Sequence, residues 1–354
     1  MPTTRCAIVF VVLLMSSLGS ERHVMPADEV GQKGVVLKEF IFDQAPFAEC
    51  HASTIAETKS SLVAAWFGGT RESDPDVGIW LAKYDGEKWS APEELVTGVQ
   101  PGGMRFPCWN PVLFNLSDDR LLLFYKVGPS PSHWWGMKVE SADQGKSWSA
   151  AERLPEEILG PIKNKPVLLS DQRLLCGSST EHDGWRVHME WTSDGGATWE
   201  RTAALNKSDE NEAIQPTILQ HGVDHLQILC RSKSAEKVLT SDSRDGGRTW
   251  SSLKATALPN PNSGIDAVTL KDGRHVVVYN HTSDRRSPLN IAVSEDGNVW
   301  NAAIVLEDEP GEYSYPAIIQ TSDGLVHVTY TWRRKRVRHV VVDPAKLELG
   351  EVYR

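Results

Sequence analysis

Short apolar runs with β-type alternation recur along the whole chain. RLLLFYKV (120–127), HLQILCR (225–231), RHVVVYN (274–280) and LVHVTYTW (325–332) each have strand length, and turn residues bound them. No apolar stretch after the first residues reaches the ~20 positions that a membrane helix needs. Between the runs a box repeats. SADQGKSW (141–148), TSDGGATW (192–199) and SRDGGRTW (243–250) all fit Ser/Thr-x-Asp-x-Gly-x-x-Trp, and weaker copies end at Trp89 and Trp300. The tryptophans at 89, 148, 199, 250 and 300 are spaced by 59, 51, 51 and 50 residues.

A period of this length with about four strands per unit predicts a propeller blade. The box itself predicts a tight hairpin. Asp and Ser/Thr side chains bond nearby amides, Gly takes positive φ, and Trp packs between neighbouring sheets. Its aspartates are therefore structural. Five boxes plus residues 315–342 make six blades, and VVLKEFIF (35–42) is placed to supply the outer strand that closes the ring. The expected fold is all-β, a single six-bladed β-propeller over residues 21–354.

The N-terminus changes the cellular picture. Arg5, the apolar stretch from Ala7 to Met15 and the small residues Ser16 to Ser20 have the layout of a signal peptide, so residues 1–20 are expected to be removed and the chain secreted or periplasmic. Cys50, Cys108, Cys176 and Cys230 remain, without zinc-type spacing, and read as small buried hydrophobes. His51, His188 and His281 show no ligand spacing either, so no metal and no cofactor is expected. The net charge of −10 argues against a nucleic-acid partner. It leaves room for an acidic ligand if basic groups converge locally.

Propeller connectivity sorts the residues by face. The boxes join strands three and four; inner-strand starts and the loops between strands two and three open on the opposite face. There the sequence collects His51, Lys165, Gln215 and Tyr315 at inner-strand starts, with Arg71, Asp76, Trp135, Glu181, Arg231 and Arg286 on the loops or strand ends. Charge for an acidic substituent and Trp for sugar faces point to a saccharide site. Lys233, Arg285, Arg333, Arg334 and Arg186 read as solvated loop charges.

The boxes and these positions resemble the sialidase (neuraminidase) superfamily, in particular bacterial sialidase-like proteins of the Asp-box type, over about residues 45–342. The resemblance implies an arginine triad for a substrate carboxylate, a tyrosine nucleophile assisted by a glutamate, and an aspartate acid/base. His51 stands where the first triad arginine is expected. Arg71 matches the arginine of the following loop, and Asp76, with Asp74 as rival, the acid/base. Arg231 and Arg286 match the other two triad members. Tyr315, eight residues before Asp323-Gly324, matches the nucleophile, and Gln215 occupies the position of its glutamate partner. Glu181, Glu212 and Glu312 are the carboxylates that could replace that partner. The expected function is a secreted exo-glycosidase acting on anionic sugars of an oligosaccharide, glycoconjugate or polysaccharide. Two alternatives remain: a uronate-active polysaccharide lyase using His51 and Tyr315, and a carbohydrate-binding propeller without turnover.

Overall fold

The computed structural model describes residues 32–116, 120–207, 209–234 and 236–354. The expected leader, residues 1–20, lies outside them. Six antiparallel sheets form the six blades. Their inner strands are Glu49–Glu57, Cys108–Asn115, Val167–Leu168, Ala213–Gln220, Asp266–Thr269 and Tyr313–Gln320. The ring closes as the pattern implied: Val35–Phe40 pairs with Arg336–Val342 and becomes the outer strand of the sixth blade. One addition was not foreseen, since Val352–Tyr353 pairs with Trp300–Glu307 and gives the fifth blade a fifth strand. No helix among the described residues is long and apolar enough to cross a membrane.

Packing follows the repeat. One buried apolar cluster fills each seam between neighbouring blades, and the box tryptophans belong to these seams. Trp148 packs between blades one and two, Trp199 between two and three, Trp250 between three and four, and Trp300 between four and five. Trp89 packs where blade six meets blade one. Within a box the hydrogen bonds are local. Asp245 Oδ1 accepts from the amides of Arg248 and Thr249, the Thr249 hydroxyl donates to Oδ2, and the Gly247 amide donates to Ser243. Asp143 and Asp194 repeat this pattern. Every box aspartate is thereby committed to its own turn, on the face away from the inner-strand starts.

The inner strands break register at the opposite face. Shifts occur between His51 and Thr54, Trp109 and Val112, Ile214 and Thr217, and Ser314 and Ala317. Each break contains one residue with left-handed φ: Ala52 (55°), Asn110 (39°), Gln215 (56°) and Tyr315 (51°). Such conformations cost roughly 1–3 kcal/mol each and persist only where the surroundings enforce them. Three of the four precede a proline, which has no amide hydrogen for the ladder, so the bulge falls where pairing is already lost. At this level the fifth blade presents Gly264. A Cβ there would stand 3.3 Å from Gln215 Oε1, 3.4 Å from Lys163 Cε and 3.4 Å from Tyr315 Cδ2. Only a residue without a side chain leaves that space open.

Candidate active site

Tyr315 is at the centre of the channel mouth, 8% exposed. Its hydroxyl accepts a hydrogen bond from Arg231 Nη1 at 2.6 Å, and Gln215 Nε2 stands 3.4 Å away. Arg231 is itself held in place: Nε and Nη2 donate to Asn262 Oδ1 at 2.9 and 2.7 Å, and its guanidinium lies 4.9 Å from the Trp185 ring centre. A charge-assisted donor at this distance offsets negative charge that develops on the phenol oxygen.

His51 lies against the other side of the tyrosine, ring centres 4.2 Å apart, with Nδ1 hydrogen-bonded to Thr331 Oγ1 at 3.0 Å. Burial, and after it the charges of Arg334, Arg286, Arg231 and Lys163, push its pKa well below the ordinary histidine value, so the imidazole is neutral. Of these four, the three arginines are the fixed cations of the site. Lys163 is buried beneath Tyr315 and donates to Asn164 Oδ1 and Ile265 O at 2.9 Å each, and to Pro316 O. Burial pulls its pKa down to about 7, against the pull of Asp266. Arg286 lies 5.6 Å from the Tyr315 ring centre. Glu312 bridges the two outer arginines, accepting from Arg286 Nη1 at 2.7 Å and Arg334 Nε at 3.0 Å. Burial pushes the Glu312 carboxyl up, but Arg334 and Arg286 hold it below the usual carboxylate range.

Arg334 corrects the sequence reading. Its side chain is 24% exposed and paired with Glu312 and Glu72, so it belongs to the mouth rather than to the solvent. It comes from the sixth blade, and its charge is the first of the four that act on His51. Arg333 is exposed, as expected, while donating to the Tyr313 hydroxyl, and half-buried Arg186 donates to Asn206 O. Arg285, 71% exposed and paired with Asp284, is the solvated charge the pattern implied.

The remaining candidates are spread around this core. Lys165 donates to both Asp266 carboxylate oxygens and to Ala267 O, so it ties blade three to blade five inside the channel. Arg71 is 73% exposed and faces Asp74 at 3.4 Å. Asp76 is exposed, and its Oδ2 accepts from the Thr70 amide and hydroxyl at 2.9 and 2.8 Å. Neither contacts Tyr315, although their loop reaches the mouth through Glu72. Glu181 is half-buried beside Trp185; burial raises its pKa, with Arg231 and the Trp185 side chain pulling the other way. Trp135 forms the wall of a separate cavity with Trp134 and Glu181. Glu212 pairs with Lys233. Asn262, Lys163 and Gly264 complete the constellation; Asn262 and Lys163 stand out in the sequence only as polar residues at inner-strand starts.

A six-bladed propeller with Asp boxes on one face and a tyrosine among arginines at the other mouth is a sialidase-type architecture. The chain belongs to the BNR repeat-like domain family, whose model matches residues 60–328. It is 22% identical over 231 residues to a sialidase of Bacteroides fragilis (strain YCH46); the match covers 59% of this chain and 41% of that protein's length. Among solved structures it resembles a Dyadobacter fermentans protein of unknown function (TM-score 0.74, 17% identity, 89% of this chain and 100% of that one). It also resembles the intramolecular trans-sialidase from Ruminococcus gnavus (TM-score 0.71, 13% identity, 88% and 98%). At these identities the structures share the fold.

Proposed function

We propose that this protein is a glycoside hydrolase of sialidase-like mechanism acting on a sugar that bears an anionic substituent. The observation that carries the reading is local reversal of charge. A chain of net charge −10 gathers Arg231, Arg286 and Arg334 around one buried tyrosine. Such a focus attracts and orients an anion. In this reading Arg286 and Arg334 hold the substituent in the place where they now hold Glu312. Tyr315 attacks the anomeric carbon, its phenol proton passing to the neutral His51 beside it while Arg231 offsets charge on the oxygen, and water then releases the sugar from the tyrosine; tyrosine nucleophiles are an accepted exception among glycosidases. Asp76, on the loop that reaches the mouth through Glu72, supplies the proton to the leaving oxygen, and Glu181 is the second carboxyl able to do so. Export through the leader peptide belongs to the same proposal.

The test is a product-resolved screen of sialylated, uronate-containing and sulfated glycans, followed by Tyr315→Phe, Asp76→Asn and Glu181→Gln on the substrate found. General acid catalysis is worth about 10²–10⁴ in rate, so whichever carboxyl variant loses that much identifies the donor. Wild-type turnover in Tyr315→Phe would end the proposal. One observation favours a second reading, a uronate lyase: His51 is neutral and lies against Tyr315, ring centres 4.2 Å apart, the state required of a base. An unsaturated product absorbing in the near ultraviolet selects it.

A further inference from the structure

Tyr315 stands on a piece of backbone that has left its own ladder. It has a left-handed φ of 51° inside the register break between Ser314 and Ala317, and Pro316, next in the chain, lies in the same break. Such a residue keeps its conformation only where the surroundings enforce it. The enforcing contact comes from another blade. Lys163, on the segment that leads into the inner strand of the third blade, is 3% exposed. Its Nζ donates to Pro316 O, to Ile265 O at 2.9 Å and to Asn164 Oδ1 at 2.9 Å. Asn164 carries the connection further, since its Nδ2 donates to Gln215 O at 2.9 Å. One lysine thus ties the third blade to the bulges of the fourth and sixth, and to the carbonyl beside Gly264 in the fifth.

The protonation state of the nitrogen decides whether this arrangement holds. All three partners are acceptors. An ammonium has three donors and satisfies them; a neutral amine has only two, and turns a lone pair towards an oxygen. Burial opposes the ammonium and brings its pKa down to about 7. The neighbouring charges divide: Asp266 of the fifth blade favours the charged form, while Lys165 of its own blade and Arg231 of the fourth oppose it. Lys165 and Asp266 pair with each other at 3.0 Å, so the aspartate is shared. On the remaining sides stand His51 of the first blade, whose pKa feels the lysine charge, and the Tyr315 ring, its centre 6.0 Å from Nζ.

We infer that Lys163 is a positioning residue, a latch that fixes the Tyr315 bulge as an ammonium and lets it go when the nitrogen gives its proton to solvent. The latch stands on the geometry of the bulge. Its effect on turnover rests on the glycosidase reading, in which the tyrosine must meet the anomeric carbon.

The experiment is NMR on the full chain, labelled at lysine Cε and at backbone amides and titrated from about pH 5 to 10. The Lys163 signal, assigned by its loss in Lys163→Met, should titrate near pH 7. The amide signals of Ser314, Tyr315 and Ala317 should move with the same midpoint, and their protection against exchange should fall at least tenfold once base catalysis is allowed for. In Lys163→Met they should not respond. No substrate is involved, so this arm holds or fails whether or not Tyr315 proves catalytic. On the substrate found, wild-type kcat should fall at least tenfold as pH rises through that midpoint, with KM within threefold. In Lys163→Met, kcat should be low throughout and flat. If that variant melts early, Lys163→Gln is read in its place. A lysine that only supported the fold would move stability and turnover together. Here the signs are opposite: the folded-state pKa lies below the unfolded one, so between about pH 7 and 10 the unfolded chain binds the extra proton, and stability relative to Lys163→Met rises with pH. The inference is overturned if Lys163 keeps its proton to pH 10, if the bulge amides ignore its titration, or if Lys163→Met retains wild-type kcat.

Discussion

Arg231→Lys separates holding the tyrosine from holding the substrate. Arginine here uses three nitrogens: two donate to Asn262, and Nη1 reaches Tyr315 at 2.6 Å. A lysine ammonium keeps the charge but reaches only one of these partners, and it lacks the planar fork. Arg231 is 8% exposed, so water does not replace the lost donor. A hydrogen bond to or from a charged group contributes about 1.5–3 kcal/mol, and stranding a buried acceptor costs about 1–3 kcal/mol. The Asn262 bonds exist with and without substrate, so their loss falls on stability. The Tyr315 bond strengthens as charge grows on the phenol oxygen, so its loss falls on turnover. At 1.36 kcal/mol per decade, kcat should drop by roughly 10- to 200-fold. KM should change little. Steady-state kinetics on the identified substrate, with urea unfolding alongside, provide both numbers. Arg286→Lys is the control and should act mainly on KM. The reasoning fails if Arg231→Lys leaves kcat within threefold and raises KM, since Arg231 would then be a substrate clamp.

Three further outcomes follow from the geometry. Gly264→Leu fills the gap bounded by Gln215, Lys163 and Tyr315, so turnover should fall at least tenfold while circular dichroism still reports an intact propeller; full activity would show that Tyr315 does not need that space. In the box of the fourth blade, burial pushes the Asp245 carboxyl up, but Thr249, its amide and Ser243 bring it down to about 2. A folded-state pKa below the unfolded value stabilises above about pH 4, and that stabilisation is lost as pH falls towards 2. Urea midpoints should therefore drop across this window in the wild type, and less steeply in Asp245→Asn. Cys50, Cys108, Cys176 and Cys230 are free, buried and raised in pKa by burial, so all four should react with a thiol reagent only after unfolding, and reductant should not lower the melting temperature.

The fold was legible because the box is local. Its hydrogen bonds span at most four residues, so composition and spacing suffice to show them, and the tryptophan spacing counts the blades. The closing strand was legible for a similar reason, being an apolar run with no box to pair with. Arg334 was not. Its role depends on Glu72, 262 positions away in sequence, and on Glu312, and no periodicity encodes that meeting. Arg231 was found, but its partner Asn262 and its primary contact with Tyr315 come from different blades. The loop between Thr70 and Val77 was legible as a charged cluster but not in its pairings. Four charged positions lie close together in sequence there: Glu72 reaches Arg334, Arg71 faces Asp74, and Asp76 accepts from Thr70.

The left-handed bulges at the ends of the inner strands have a consequence for how such a protein can change. At Ala52, Asn110, Gln215 and Tyr315 the backbone is fixed by the ring, and the side chains are buried at the level of the mouth, Ala52 and Tyr315 also packing in the seam between blades one and two. These positions work as a set of sockets. A substitution at the polar pair, Asn110 and Gln215, alters what the mouth can bind while the seams, each closed by its own apolar cluster, are left as they were. Chemistry can then diverge faster than architecture. The persistence of the architecture is seen in a neighbour that shares 17% of residues at a TM-score of 0.74. It also indicates where a designer should work: exchanging the side chains at the polar pair would reset specificity without asking the propeller to fold again.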